Sequence, residues 1–106
     1  MEWISGNIYI RANALEKTGD AIPGHKHNFD HTTIFFTGSF RITAMLLDGS
    51  QRVIEKQAPS HLLIRAEVEH RIEALEPNSI FWCVYSHRTP QGDVVQEWGG
   101  WEQATW

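Results

Sequence analysis

The sequence predicts an all-β domain, a small antiparallel β-barrel, and three observations carry that prediction. Short apolar runs rich in β-branched and aromatic residues recur along the chain, separated by Gly, Pro, Asn and Asp. Two separators, "DGS" at 48–50 and "EPNS" at 76–79, have hairpin chemistry, because Gly and Asn tolerate positive φ and Pro presets the first turn dihedral. No stretch before residue 94 reads as a helix.

The strands follow in order at 7–11, 21–27, 31–37, 39–47, 51–57, 61–65, 70–75 and 79–86. Neighbours joined by hairpins pair antiparallel, and closing such short strands on themselves removes exposed edges. The barrel is expected over residues 7–87, with a tryptophan-rich C-terminal tail at 88–106, all within one domain of 106 residues. A chain of this size buries roughly two-thirds of its unfolded surface, enough for one core without staples.

Composition narrows the function classes. The lone Cys83 excludes an internal disulfide framework, and the N-terminal stretch lacks the basic flank and apolar run of a signal peptide, so a cytoplasmic location is expected. No window approaches the roughly 18 apolar residues of a membrane helix. A net charge of −4 argues against nucleic acid and anionic membranes. The partner expected is a small-molecule substrate or another protein.

"GHKHNFDH", residues 24–31, holds three of the six histidines. In a strand His25 and His27 point to one face about 6.6 Å apart, within reach of one metal ion. His31 has the same parity, but four more extended residues would carry it about 13 Å further, so the chain must bend between them. Asn28 and Asp30 supply that bend. A helical turn placing His27 and His31 at i, i+4 is the local alternative, opposed by Pro23 and Gly24 upstream and "TTIFFT" downstream. A histidine-rich surface turn without metal is the other.

On a larger scale Gly19, five residues, His25, one residue, His27, three residues, His31, six residues and Gly38 stand at fixed gaps. This pattern resembles the first motif of the cupin family, G-x5-H-x-H-x3/4-E-x6-G, with His31 replacing the Glu. Both glycines sit where a strand turns and positive φ is expected. The second motif, G-x5-P-x-G-x2-H-x3-N, is poorly kept: His70 takes its histidine, while Pro59, Arg65, Glu67 and Ala74 fall where Gly, Pro, Gly and Asn are usual. The resemblance implies a jelly-roll, double-stranded β-helix fold and one divalent metal held by His25, His27, His31 and His70. Manganese, iron, nickel, copper and zinc all accept imidazole, and manganese or iron is favoured by similarity to small four-histidine cupins.

Four neutral imidazoles leave the full 2+ charge on such a centre and no carboxylate ligand as a resident base. Asp30 is a candidate partner for a ligand N–H, the alternative being a turn carboxylate that caps backbone amides. Parity from His31 puts Thr33, Phe35 and Thr37 on the inner face, and parity from His70 adds Ile72 and Ala74. By similarity to small four-histidine cupins, Phe81, Cys83 and Tyr85 also face inward. The substrate pocket is thus expected at Phe35, Ile72, Phe81, Cys83 and Tyr85, with no residue singled out as catalytic. His61 opens a strand without a metal role, and His87 stands near the barrel mouth.

Trp98, Trp101 and Trp106 are expensive to leave in water, and "SFRITAMLL" is apolar on both parities. Docking of the tail on the barrel or on a partner, and a homodimer, are therefore expected. Two function classes stay open: a metal-dependent dioxygenase or related oxidoreductase acting on a small, partly apolar substrate, and a non-catalytic metal-stabilised binding or assembly module that uses the tail.

Overall fold

The structure, a computed structural model, describes residues 1–94. The tail tryptophans Trp98, Trp101 and Trp106 lie outside the described residues. The described chain forms nine strands and no helix: β1 (Glu2–Ser5), β2 (Ile8–Leu15), β3 (Ala21–His25), β4 (His31–Thr37), β5 (Ser39–Met45), β6 (Gln51–Gln57), β7 (Ser60–Ile64), β8 (Glu69–Ala74) and β9 (Ser79–Ser86). Among them no helix is long and apolar enough to cross a membrane.

All pairings are antiparallel, in two sheets ordered β1-β2-β9-β4-β7 and β3-β8-β5-β6. This is a jelly-roll sandwich; the expected closure into a barrel does not occur. Edge strand β6 does not pair with β7, although only two residues separate them. The register of β6 against β5 sets Lys56 opposite buried Phe40, Ile54 opposite buried Ile42 and Arg52 opposite Ala44. Two inward cations on an edge strand blunt it against further pairing.

β1 was not expected from sequence, because its four residues are all exposed and too few to show a period. The hairpin that holds it turns at Gly6, whose φ of 62° needs glycine's freedom. At the foreseen turns, Gly49 has φ 86° and Asn78 φ 57°. Asp48 Oδ1 also accepts from the Ser50 amide at 2.9 Å, tying off that turn.

Burial changes along the sandwich. Inward residues at one end, Leu15, Phe35, Phe40, Ile42, Ile72, Ala74 and Phe81, form the apolar core. One step along β4 and β9 lie Thr33 and Cys83, paired opposite each other, with Thr33 Oγ1 3.9 Å from Cys83 Sγ. A further step reaches His31, Tyr85 and, across the sandwich, His70. The core thus forms the floor beneath a polar, aromatic end.

Candidate metal centre

β3 brings its histidine inward through a bulge. Ile22 pairs with Ile72 and His25 with His70, so three steps on β3 match two on β8. The extra residue falls at Pro23 and Gly24, where a proline without an amide hydrogen costs the ladder nothing. The shift changes parity, and His25 joins Ile22 on the inner face. Its Nδ1–H donates to the Pro23 carbonyl at 2.9 Å.

The expectation that His25 and His27 share one strand is corrected: β3 ends at His25 and His27 lies beyond it. Pro23 and Gly24 consume the regular pairing, and the His27 carbonyl instead accepts from the Glu67 amide at 2.7 Å. Glu67 takes φ 66°, left-handed, at the position where the second motif has Gly. The foreseen bend falls at Asn28 and Phe29.

His70, the second residue of β8, is almost fully buried, 2% exposed. Its Nδ1–H donates to the Val68 carbonyl at 2.9 Å, the same i−2 contact that His25 makes. Such bonds fix the tautomer and leave each Nε2 with a lone pair. His25, His27 and His70 offer nitrogen atoms all within 4.8 Å of one another. Two opposed ligands on one first-row ion span about 4.2 Å, so small side-chain rotations suffice.

His31 stands beside this group of three, not within it. Its ring lies 5.0 Å from that of His27 and 5.2 Å from that of His70, at 3% exposure. Neither of its ring nitrogens, nor His70 Nε2, has a hydrogen-bond partner among the described residues. Buried unpartnered nitrogens are costly unless something binds them, and a cation fits this donor set.

The electrostatics keep His27, His31 and His70 neutral. Burial holds His31 down at about 3, helped by His70 and His27. Burial likewise lowers His27 to about 4, with His25 and His70 adding to it. His70 is lowered by burial against the opposing pull of the Val68 carbonyl. Neutral imidazole is the form that ligates.

The remaining expectations divide. Asp30 does not reach a ligand ring: Oδ1 accepts from the Ala66 amide at 2.7 Å and Oδ2 lies 3.8 Å from Arg65 Nη1. A turn carboxylate satisfies nearby backbone first. Phe35, Ile72 and Phe81 are inward as foreseen, but at 0–1% exposure they are core and leave no surface for substrate. Parity gives the side of Phe35 and Ile72 and the family resemblance that of Phe81, and depth, which neither encodes, fixes their role. Cys83 is half-buried with its thiol pushed up by burial, so it stays protonated.

Tyr85 is where it was expected, its ring 6.3 Å from His27 and 6.4 Å from His31. It stacks on Tyr9 at 4.7 Å, and burial raises both phenols. Phe29, not singled out from sequence, packs on Tyr85 at 4.4 Å and on His27 at 5.0 Å, with Arg88 5.3 Å above its ring. Its odd position between His27 and His31 was the available signal. His87 stacks near Tyr9 at 6.5 Å beside a cavity of about 290 Å³, while His61 is exposed. A larger cavity of about 520 Å³ lies between the sheets, with His70 at its inner end.

No protein-family model matches the sequence, and no curated protein matches it. Solved structures do match. A formate complex of oxalate decarboxylase from Lactobacillus farciminis superposes with a TM-score of 0.70 at 24% identity over 78% of this chain and 24% of that one. Oxalate decarboxylase from Bacillus subtilis, in a structure concerned with its Mn(II) centers, gives a TM-score of 0.72 at 22% identity over 87% of this chain and 24% of that one. The present chain spans about a quarter of the length of these enzymes. They are cupins, and with two sheets in jelly-roll order and a histidine cluster between them, this chain is a cupin in fold.

Proposed function

We propose that this chain is a divalent-metal cupin enzyme, a dioxygenase or related oxidoreductase acting on a small, partly apolar substrate. The observation that carries the reading is the convergence of His25, His27 and His70 within 4.8 Å, with Nδ1 of His25 and His70 committed to carbonyls. His31, with both ring nitrogens unpartnered beside the group, would supply the fourth imidazole. Manganese or iron suits the reading, since the Bacillus subtilis neighbour is described by its Mn(II) centers. When bound, such an ion would supply Lewis acidity toward the substrate or dioxygen.

The chain's own residues supply the rest. Phe29 and Tyr85 shield the centre from bulk water, and the Tyr85 hydroxyl, held protonated, orients a polar atom of the substrate. Oxalate, named for the neighbours, is a poor fit: the 520 Å³ cavity beside His70 is walled mainly by aliphatic side chains that a two-carbon diacid would not use. Elemental analysis of untagged protein is expected to give about one ion per chain. Oxygen uptake with phenols, diketones and thiols then tests the reaction class. Protein that takes up no divalent ion would overturn the reading.

A second reading concerns assembly. The outer face of the β1-β2-β9-β4-β7 sheet carries Trp3 (42% exposed), Phe36 (44%) and Ile80 (36%). Trp82 lies 5.4 Å from Trp3 and 4.7 Å from Phe36. An apolar sheet face of this kind favours a homodimer packed through it. Sedimentation equilibrium of the wild type and of Trp82→Glu separates dimer from monomer.

A further inference from the structure

The 520 Å³ cavity has an asymmetric chemistry. Ile42 and Ile54 wall one side and Leu62 and Ile64 the other, so its body is aliphatic. Its mouth lies between the unpaired edges β6 and β7. Two cations line it from the inner face of β6, Arg52 and Lys56. Neither takes part in an ion pair among the described residues. Glu55 and Arg65 also line the cavity, but each is already paired, Glu55 with Arg41 at 3.3 Å and Arg65 with Asp30 at 3.8 Å.

The strand register ties this cation to the histidines. His25 pairs with His70, His70 with Ala44, and Ala44 with Arg52, giving one transverse row across the sheet. His70 and Arg52 are therefore two strand spacings apart, roughly 10 Å between Cα atoms. The residue between them is alanine, whose methyl leaves the space above it open. A positive group, a small-residue floor and a metal-ligating ring thus lie in line, beside aliphatic walls.

Resting on the metal-centre reading above, we propose that this cavity is the substrate chamber and that it selects an organic carboxylate with an apolar body. The carboxylate meets Arg52, seconded by Lys56, and the body lies over Ala44 between Ile54 and Leu62. The far end reaches His70 and the ligand cluster. Aliphatic walls with few placed polar groups, at this volume, are what small-ligand sites have. Guanidinium is the side chain best matched to a carboxylate in such a place. Edge protection alone would explain inward cations but not the chamber or the alanine.

The test uses the full-length protein and two probes of one shape, 3-phenylpropionate and the neutral 3-phenylpropanamide. Calorimetric titration is run in chelator and again with Mn²⁺, and Mn²⁺ uptake is measured separately by elemental analysis. The acid is expected to bind at least about tenfold tighter than the amide, and Arg52→Gln to erase that preference. Arg52 is exposed, so the variant keeps its fold. Equal binding of acid and amide, no binding of either, or an Arg52→Gln protein that still prefers the acid overturns the proposal. The chelator arm reads the chamber even if Mn²⁺ uptake fails, so the two readings fail separately.

Discussion

His25 and His70 face each other as a directly paired couple on adjacent strands, their rings 4.4 Å apart and each Nδ1–H bound to the carbonyl two residues before it. One contact recurs on two strands and commits the same nitrogen, Nδ1, of each ring. His25 sits at the end of an edge strand and His27 outside any strand, so neither supports the core. The double variant His25→Ala, His27→Ala is expected to lose divalent-metal uptake entirely. Its circular dichroism should retain the β-sheet spectrum, and an unfolded spectrum would mean that the metal is structural.

The buried imidazoles make metal-free protein acid-sensitive. His27 and His31 hold folded values of about 4 and about 3. An unfolded histidine titrates near 6.5. Above that pH both states are neutral and the full stability is present. As pH falls below it the unfolded chain binds protons first, and stability is lost progressively toward the folded values. Thermal melts in chelator should show Tm dropping by more than about 5 °C between about pH 7 and about pH 5. A flat Tm across that window would show that these rings charge freely in the native state.

Gly38 and Gly19 share the same backbone conformation, φ 94° and 93°, but not the same surroundings. A Cβ on Gly38 would overlap the buried Ser79 side chain and come within 2.8 Å of its Cα, whereas one on Gly19 meets nothing within 4 Å. Gly19→Ala should cost only the left-handed strain, about 1–2 kcal/mol. Gly38→Ala adds steric overlap and should cost about 3 kcal/mol or more. Urea melts of the two variants compare them directly.

Glu67 offers the opposite experiment. It is a non-glycine residue at φ 66°, exposed, where the family motif has Gly. Glu67→Gly relieves the strain at some entropic cost and should stabilise by about 0.5–1 kcal/mol. A loss of stability would mean that the Glu67 side chain makes an unrecognised contribution.

Asp30 separates two roles by one substitution. Because its carboxylate caps the Ala66 amide, Asp30→Ala should cost about 1–2 kcal/mol while leaving Mn²⁺ affinity within about twofold. A tenfold loss of affinity at unchanged stability would restore it as a partner of a ligand ring.

Much of this was readable because short-range chemistry and parity suffice for it. The turns at Gly49 and Asn78, the inward side of β4 and β8, and the bend after His27 follow from residue type and period two, whereas the inward side of β9, apolar on both parities, came only from the likeness to small four-histidine cupins. Parity failed at His25, because the bulge at Pro23 and Gly24 breaks the period, and a bulge depends on the partner strand as well as on the sequence. Depth was also illegible: Phe35 and Tyr85 share the inner side of one sheet but stand at opposite ends of the sandwich. Barrel closure failed for a related reason, since Arg52 and Lys56 had to be recognised as inward before β6 could be seen as a free edge. The first-motif histidines stood out because they are local, whereas His70 needed strand pairing to join them.

His25 and His27 are neighbours in sequence, but His70 lies almost half the chain away and reaches them only when β3 pairs with β8. Closing so long a loop is an entropic hurdle, and strand pairings of such range form slowly. A nascent or unfolded chain therefore offers an ion only the sequence-local imidazoles of His25, His27 and His31, and His70 joins them when the sandwich is assembled. On the proposed metal-centre reading, tight retention of an ion would distinguish chains that have completed their topology from those that have not.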